Sequence, residues 1–137
     1  MKKIVFLILI LILAACRQKV SPTINTAATS KAVNYRMISV DELSQALKNK
    51  DFLLVNVHVP VEGNIPDTDL DIAYDKIEKQ IGKFPEDKNA KIILYCRSGA
   101  MGNTAAQALA NLGYTNVFNL EGGYDTWEKA GYQFPEE

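Results

Sequence analysis

The chain is poor in the residues that build metal sites, disulfide frameworks and nucleic-acid surfaces. It has one histidine, His58, and two cysteines, Cys16 and Cys96. A Cys/His zinc site takes four ligands, or three and a water, and this inventory does not build one. Cys16 lies in what reads as a processing segment, so no disulfide framework is expected in the folded part. Charge of one sign is missing too: 15 Lys and Arg stand against 16 Asp and Glu, a net charge of −1. Nucleic acid is therefore not expected as a partner, because no basic field exists to gather phosphates. Any anion specificity must be local. No apolar run is long enough to span a membrane comfortably. The longest, Ile4 to Leu13, has ten residues and covers about half of a hydrocarbon core of about 30 Å. What is present, 47% hydrophobic and 23% charged residues, is the balance of an ordinary folded domain. About a hundred residues remain beyond the N-terminal segment, enough for one core and too few for two.

Lys2 and Lys3 precede the apolar run, which ends Leu13-Ala14-Ala15-Cys16. Positive, then apolar, then small is the order of a secretory signal. The end of the run resembles the bacterial lipobox. That resemblance implies that residues 1–15 are a signal peptide and that Cys16 becomes an acylated, palmitate-type lipidated N-terminus. Plain secretion with Cys16 as a bystander, and an uncleaved anchor, are the alternatives. Residues 16–34 carry Ser, Thr, Asn, Ala and one Pro without apolar periodicity, the composition of a flexible tether. The expectation is a domain over 35–137 held by lipid to a membrane of the cell envelope, outside the cytoplasm.

Within that domain the patterning alternates. Met37-Ile38 is a short apolar start, and Ser39 to Glu42 has capping-box spacing ahead of Leu43, Ala46 and Leu47, which predicts a helix. Phe52 to Val57 and Lys91 to Tyr95 are short, dense apolar runs of the kind found in buried strands. Residues 60–72 read as loop, and Ile72, Ile77 and Ile81 suggest a helix over about 72–82. A helix from Gly99 or Ala100 to Leu112 stops at Gly113. A strand over Asn116 to Leu120 and a short helix over Asp125 to Ala130 follow. Strands alternating with helices predict an α/β fold: a mainly parallel sheet of about five strands with helices on both faces. Ligands of such sheets bind at the carboxyl ends of the strands, and Cys96 follows the second clear strand at that edge.

The stretch Tyr95-Cys96-Arg97-Ser98-Gly99-Ala100-Met101-Gly102 places the thiol in an exposed loop that opens a helix. Glycines there let backbone approach closely, and the N–H groups entering a helix converge on one point. Such a loop suits a nucleophilic sulfur or a bound anion, with Arg97 as the local cation. A buried structural cysteine is the other reading of the same residues.

These residues resemble the active-site loop of rhodanese-like sulfurtransferases, Tyr-Cys-Arg-Ser-Gly between strand and helix. Leu120-Glu121-Gly122-Gly123-Tyr124-Asp125-Thr126-Trp127 resembles that family's Leu-x-Gly-Gly-x-x-x-Trp segment. With Ser39 to Leu43, the resemblance covers roughly residues 35–133. It implies that Cys96 takes sulfane sulfur from a small donor such as thiosulfate or a persulfide, as a cysteine persulfide. A thiol or protein acceptor then removes that sulfur, and no cofactor or metal is needed. It also implies that the backbone of Arg97, Ser98, Gly99, Ala100, Met101 and Gly102 cradles the persulfide.

The chain departs from the family in three places. Asn56-Val57-His58 stands for Asp-Val-Arg, making Asn56 and His58 candidate supporting residues. Asp67, Asp69 and Asp71 replace small and apolar positions, an acidic loop expected to repel anionic donors. Met101 replaces Arg or Thr, leaving Arg97 as the loop's only cation. These departures point to a less anionic or protein-borne sulfur substrate. A phosphatase or arsenate reductase would want an arginine six residues after the cysteine, where Gly102 stands. A sulfur carrier or docking module without turnover is the rival from another class.

Overall fold

The computed structural model describes residues 34–135. The signal segment, Cys16 and nearly all of the tether lie outside the described residues. In chain order the elements are β1 (Arg36–Ile38), α1 (Val40–Leu47), β2 (Leu53–Asn56), β3 (Leu70–Asp71), a 3-10 helix (Glu78–Lys83), β4 (Ile92–Tyr95), α2 (Ala100–Asn111), β5 (Val117–Leu120) and α3 (Gly123–Lys129). The five strands form one sheet in the order β1-β5-β4-β2-β3. Every pairing is parallel.

Period-two alternation on strands buried from both sides divides the core into two layers. Val55, Ile92, Leu94, Cys96 and Val117 face Ala105, Ala106 and Leu109 of α2. Leu54, Ile93, Tyr95 and Leu120 face Leu43 of α1 and Trp127 of α3. Helices therefore cover both faces, and β4, fully buried along its length, is the middle of the sandwich. The capping box forms as its spacing predicts. Ser39 Oγ accepts the Glu42 N–H at 3.3 Å, and Glu42 Oε2 accepts the Ser39 N–H at 2.8 Å.

The segment 60–83 differs from its sequence expectation. Its first part is not all loop, because Leu70–Asp71 adds an edge strand beside Val55 and Asn56. The expected helix over 72–82 does not form. The Ile72 and Tyr74 N–H groups instead continue along β2, bonding Asn56 O at 2.9 Å and Val57 O at 3.1 Å. Ile72 and Ile77 are buried all the same, so their apolar spacing was a burial signal without being a helical one. Only Glu78–Lys83 coils, as a 3-10 helix broken by Gln80 at φ −112°, ψ 20°.

Candidate active site

Cys96 is the first residue past the central strand. Alternation keeps it in phase with Ile92 and Leu94, so its side chain points to the α2 face. It is 1% exposed, and this corrects the expectation of an exposed thiol. The loop's surface belongs to Arg97, Ser98 and Ala100. The Sγ atom accepts the N–H of Gly99 at 3.1 Å and of Gly102 at 3.4 Å. Gly99 is the N-cap of α2 and Gly102 lies in its first turn. First-turn N–H groups have no carbonyl of their own helix to bond, and here the sulfur takes that place. Of the loop amides from Arg97 to Gly102, those of Gly99 and Gly102 are the donors in contact with the sulfur. Met101 is half-buried and packs against the α2-side core, so its thioether is only partly available at the rim.

Two positions missed in the sequence hold this loop. Asn119, fully buried on β5, donates from Nδ2 to Gly99 O at 3.0 Å and to Asn103 Oδ1 at 2.8 Å. A Cβ on Gly102 would come within 2.0 Å of Asn119 Oδ1, so the glycine is what lets helix and strand approach. Gly123 does the same from the other side. Its φ is +62°, and a Cβ there would meet Cys96 O at 2.1 Å. The first amides of α3 land on the loop: Tyr124 N–H on Cys96 O at 2.9 Å and Asp125 N–H on Arg97 O at 3.0 Å. Paired glycines after a strand are by themselves only the signal of a tight turn. Their contact with the cysteine loop came only from the fold.

A third missed residue is Glu62, in the loop after β2. Its carboxylate accepts a short hydrogen bond from the Tyr124 hydroxyl. It pairs with Arg97 Nη1 at 3.3 Å and lies 3.5 Å from His58 Nε2. The Tyr124 hydroxyl above all, with Arg97 and His58 adding, holds the Glu62 carboxyl below the usual carboxylate range. Burial and then Glu62 push the Tyr124 phenol up. Arg97 also reaches Asp125 Oδ1 from Nε, at 3.4 Å. The loop's one cation is therefore engaged by two carboxylates.

The two supporting candidates sit in different roles. Asn56 is 1% exposed. Its Nδ2 donates to Gly63 O at 3.0 Å and Asn64 Oδ1 at 2.9 Å, and its Oδ1 accepts the His58 N–H at 2.9 Å. It ties the end of β2 to the 58–64 loop rather than touching the sulfur. His58 packs edge-on to the Tyr124 ring, 5.5 Å between centroids, and its buried Nδ1 has no partner. The acidic loop is less free than its composition suggested. Asp69 Oδ2 accepts Lys50 Nζ at 2.5 Å and the Leu54 N–H at 2.7 Å, and Asp71 accepts from Asn64 at 3.3 Å.

The family model for the rhodanese-like domain matches residues 39–130, the segment from the α1 cap to the end of α3. The chain belongs to the rhodanese-like domain family. Among curated relatives, a protein named sulfurtransferase from Allochromatium vinosum is 37% identical over 98 residues, 69% of this chain and 89% of that protein. The thiosulfate sulfurtransferase GlpE of Coxiella burnetii is 28% identical over 97 residues, 69% of this chain and 88% of that protein. Among solved structures, a rhodanese-like domain protein from Staphylococcus aureus is 27% identical with a TM-score of 0.61, covering 73% of this chain and 98% of that one. In this rhodanese-like domain the matched region contains Cys96, its cradle, and the Glu62, Asn119 and Gly123 contacts.

Proposed function

We propose that this protein is a membrane-tethered sulfurtransferase that carries sulfane sulfur on Cys96. One observation carries the reading: the one cysteine sulfur among the described residues stands at the carboxyl end of the central strand, held by the Gly99 and Gly102 N–H groups. The names of the curated relatives support the same chemistry. In the first half-reaction the Cys96 thiolate attacks the outer sulfur of the donor. A new Sγ–S bond forms while the donor's S–S bond breaks, and the bonding pair leaves with sulfite from thiosulfate or with a thiolate from a persulfide. In the second, an acceptor nucleophile attacks the terminal sulfur, and the Cys96 thiolate departs with the electron pair. This is nucleophilic catalysis through a covalent intermediate, with ping-pong kinetics expected. Fixed N–H dipoles serve the negative sulfur in both states without reorganising. A narrow outer sulfur suits so enclosed a nucleophile better than a bulky acyl or phosphoryl centre does.

A second reading, a sulfur carrier or docking module without turnover, is favoured by the paired state of Arg97, which leaves no free cation in the loop. One experiment separates them. Full-length protein in non-ionic detergent is given thiosulfate or a small-thiol persulfide, with cyanide as acceptor. Thiocyanate release and an added sulfur atom in the intact mass are read together, beside Cys96→Ser. The sulfurtransferase reading expects both signals in the wild type and neither in the variant. Loading without release selects the carrier. No loading from either donor overturns both.

The tether rests on Lys2, Lys3, the Ile4 to Leu13 run and Cys16. Acylation there would place the site at the face of an envelope membrane, outside the cytoplasm.

A further inference from the structure

Arg97 is the cation nearest in sequence to the sulfur, and a dianionic donor would be drawn to it. Its guanidinium is not free. Nη1 lies 3.3 Å from Glu62 Oε2, and Nε lies 3.4 Å from Asp125 Oδ1. The two carboxylates come from different elements, the loop after β2 and the first turn of α3. Glu62 is fixed in turn by the Tyr124 hydroxyl and flanked by His58 Nε2. Tyr124 belongs to the helix whose first amides cap the Cys96 and Arg97 carbonyls. Arg97 remains 56% exposed, so the pairing neutralises a cation that solvent, and a donor, can reach. Counted locally, one positive charge faces two negative ones.

We propose that Glu62 is a specificity-determining residue: by masking the Arg97 guanidinium it turns the Cys96 site away from doubly charged thiosulfate toward donors of lower charge, such as the persulfide of an uncharged small thiol. The inference rests on the sulfurtransferase reading above. Transfer from such a persulfide balances without a co-reactant. The Cys96 thiolate takes the outer sulfur of R–S–SH, the S–S bond breaks, and R–S⁻ leaves with the pair while the proton stays on the transferred sulfur. A masked guanidinium no longer attracts anions: a doubly charged donor loses about twice the attraction that a singly charged one loses, and a neutral donor loses almost none.

The test is the ratio of kcat/KM for thiosulfate to kcat/KM for the persulfide of 2-mercaptoethanol, measured on full-length protein at low salt. Glu62→Gln keeps the shape and an acceptor for Tyr124 but removes the charge. It is expected to raise the ratio roughly three- to tenfold. Asp125→Asn, which removes the other carboxylate, is expected to move it in the same direction. In an Arg97→Met background the Glu62→Gln effect is expected to shrink to within about twofold, because the masked group is gone. A merely structural role for Glu62 would lower both kcat/KM values together and leave the ratio unmoved, and that outcome overturns the proposal. So does an effect that persists undiminished without Arg97. A wild type that turns over neither donor overturns the sulfurtransferase reading itself, whereas an active wild type with an unmoved ratio overturns this inference alone.

Discussion

Tyr95 ends the central strand with its hydroxyl among three partners. It accepts the Ile65 N–H at 3.1 Å, donates to Asn64 Oδ1 at 2.8 Å, and meets Thr68 Oγ1 at 2.8 Å. Asn64 is the residue that also holds Asn56, so one buried phenol braces the loop that carries Glu62. Burial pushes the Tyr95 phenol up to about 12. A phenol raised in the folded state contributes stability that is intact below the unfolded value near 10. That contribution is lost as pH rises from there toward about 12. Urea midpoints of wild type and Tyr95→Phe, followed from pH 7 to 12, should therefore converge on the alkaline side. At neutral pH the variant is expected to lose about 1–3 kcal/mol, because Ile65 N–H and Asn64 are left without their partner. Single residues differ in how far the sequence exposes them. Cys96 is legible because its meaning lies in its immediate neighbours. Glu62 is not, because Arg97 and Tyr124 are 35 and 62 positions away, and only strand order brings them together.

At the scale of elements, the contact between α3 and the cysteine loop is the one to break. Gly123→Ala puts a methyl at a left-handed φ and drives it into the Cys96 carbonyl. The expected cost is about 2 kcal/mol or more, seen as a lower thermal midpoint. Sulfur loading on Cys96 should fall further than that instability explains, since the loop itself is displaced. Comparing loading rates well below the midpoint checks this. The helices that announced themselves, α1 and α2, have end signals encoded within a few residues: Ser39 with Glu42, and Gly113 after Leu112. Nearly continuous apolar runs gave β2, β4 and β5 for the same reason. The segment 72–82 departs from its helical expectation because Ile72 is buried as an extension of the β2 ladder, a fact carried by Asn56 O and Val57 O. α3 begins at Gly123, two residues before the sequence-based start at Asp125. Its first free donors, Tyr124 and Asp125 N–H, are met by Cys96 O and Arg97 O, an arrangement that local sequence does not record.

For the whole molecule, the α/β architecture with helices on both faces was readable from the alternation of patterns, and the five-stranded parallel sheet agrees with it. The edge partners were not. β1 and β3 have three and two residues, too few for a periodic signal, and their place is set by pairing with β5 and β2. The proposed tether makes a prediction that belongs to the entire chain. Cys16→Ser should move the protein from the membrane fraction to the soluble one while leaving sulfur loading on Cys96 within about twofold, since no acyl chain is then available to hold it at a bilayer. Fractionation followed by intact-mass measurement reads both. The joint between α3 and the loop has one more use. Trp127, the chain's single tryptophan, stacks on Tyr132 at 4.5 Å and donates to Gln133 O at 2.8 Å. It sits one helical turn beyond the amides that grip the Cys96 and Arg97 carbonyls. The domain thus carries an intrinsic fluorophore one turn from the cysteine loop, and sulfur loading on Cys96 is expected to change its emission, which a donor titration read at Trp127 checks without any label.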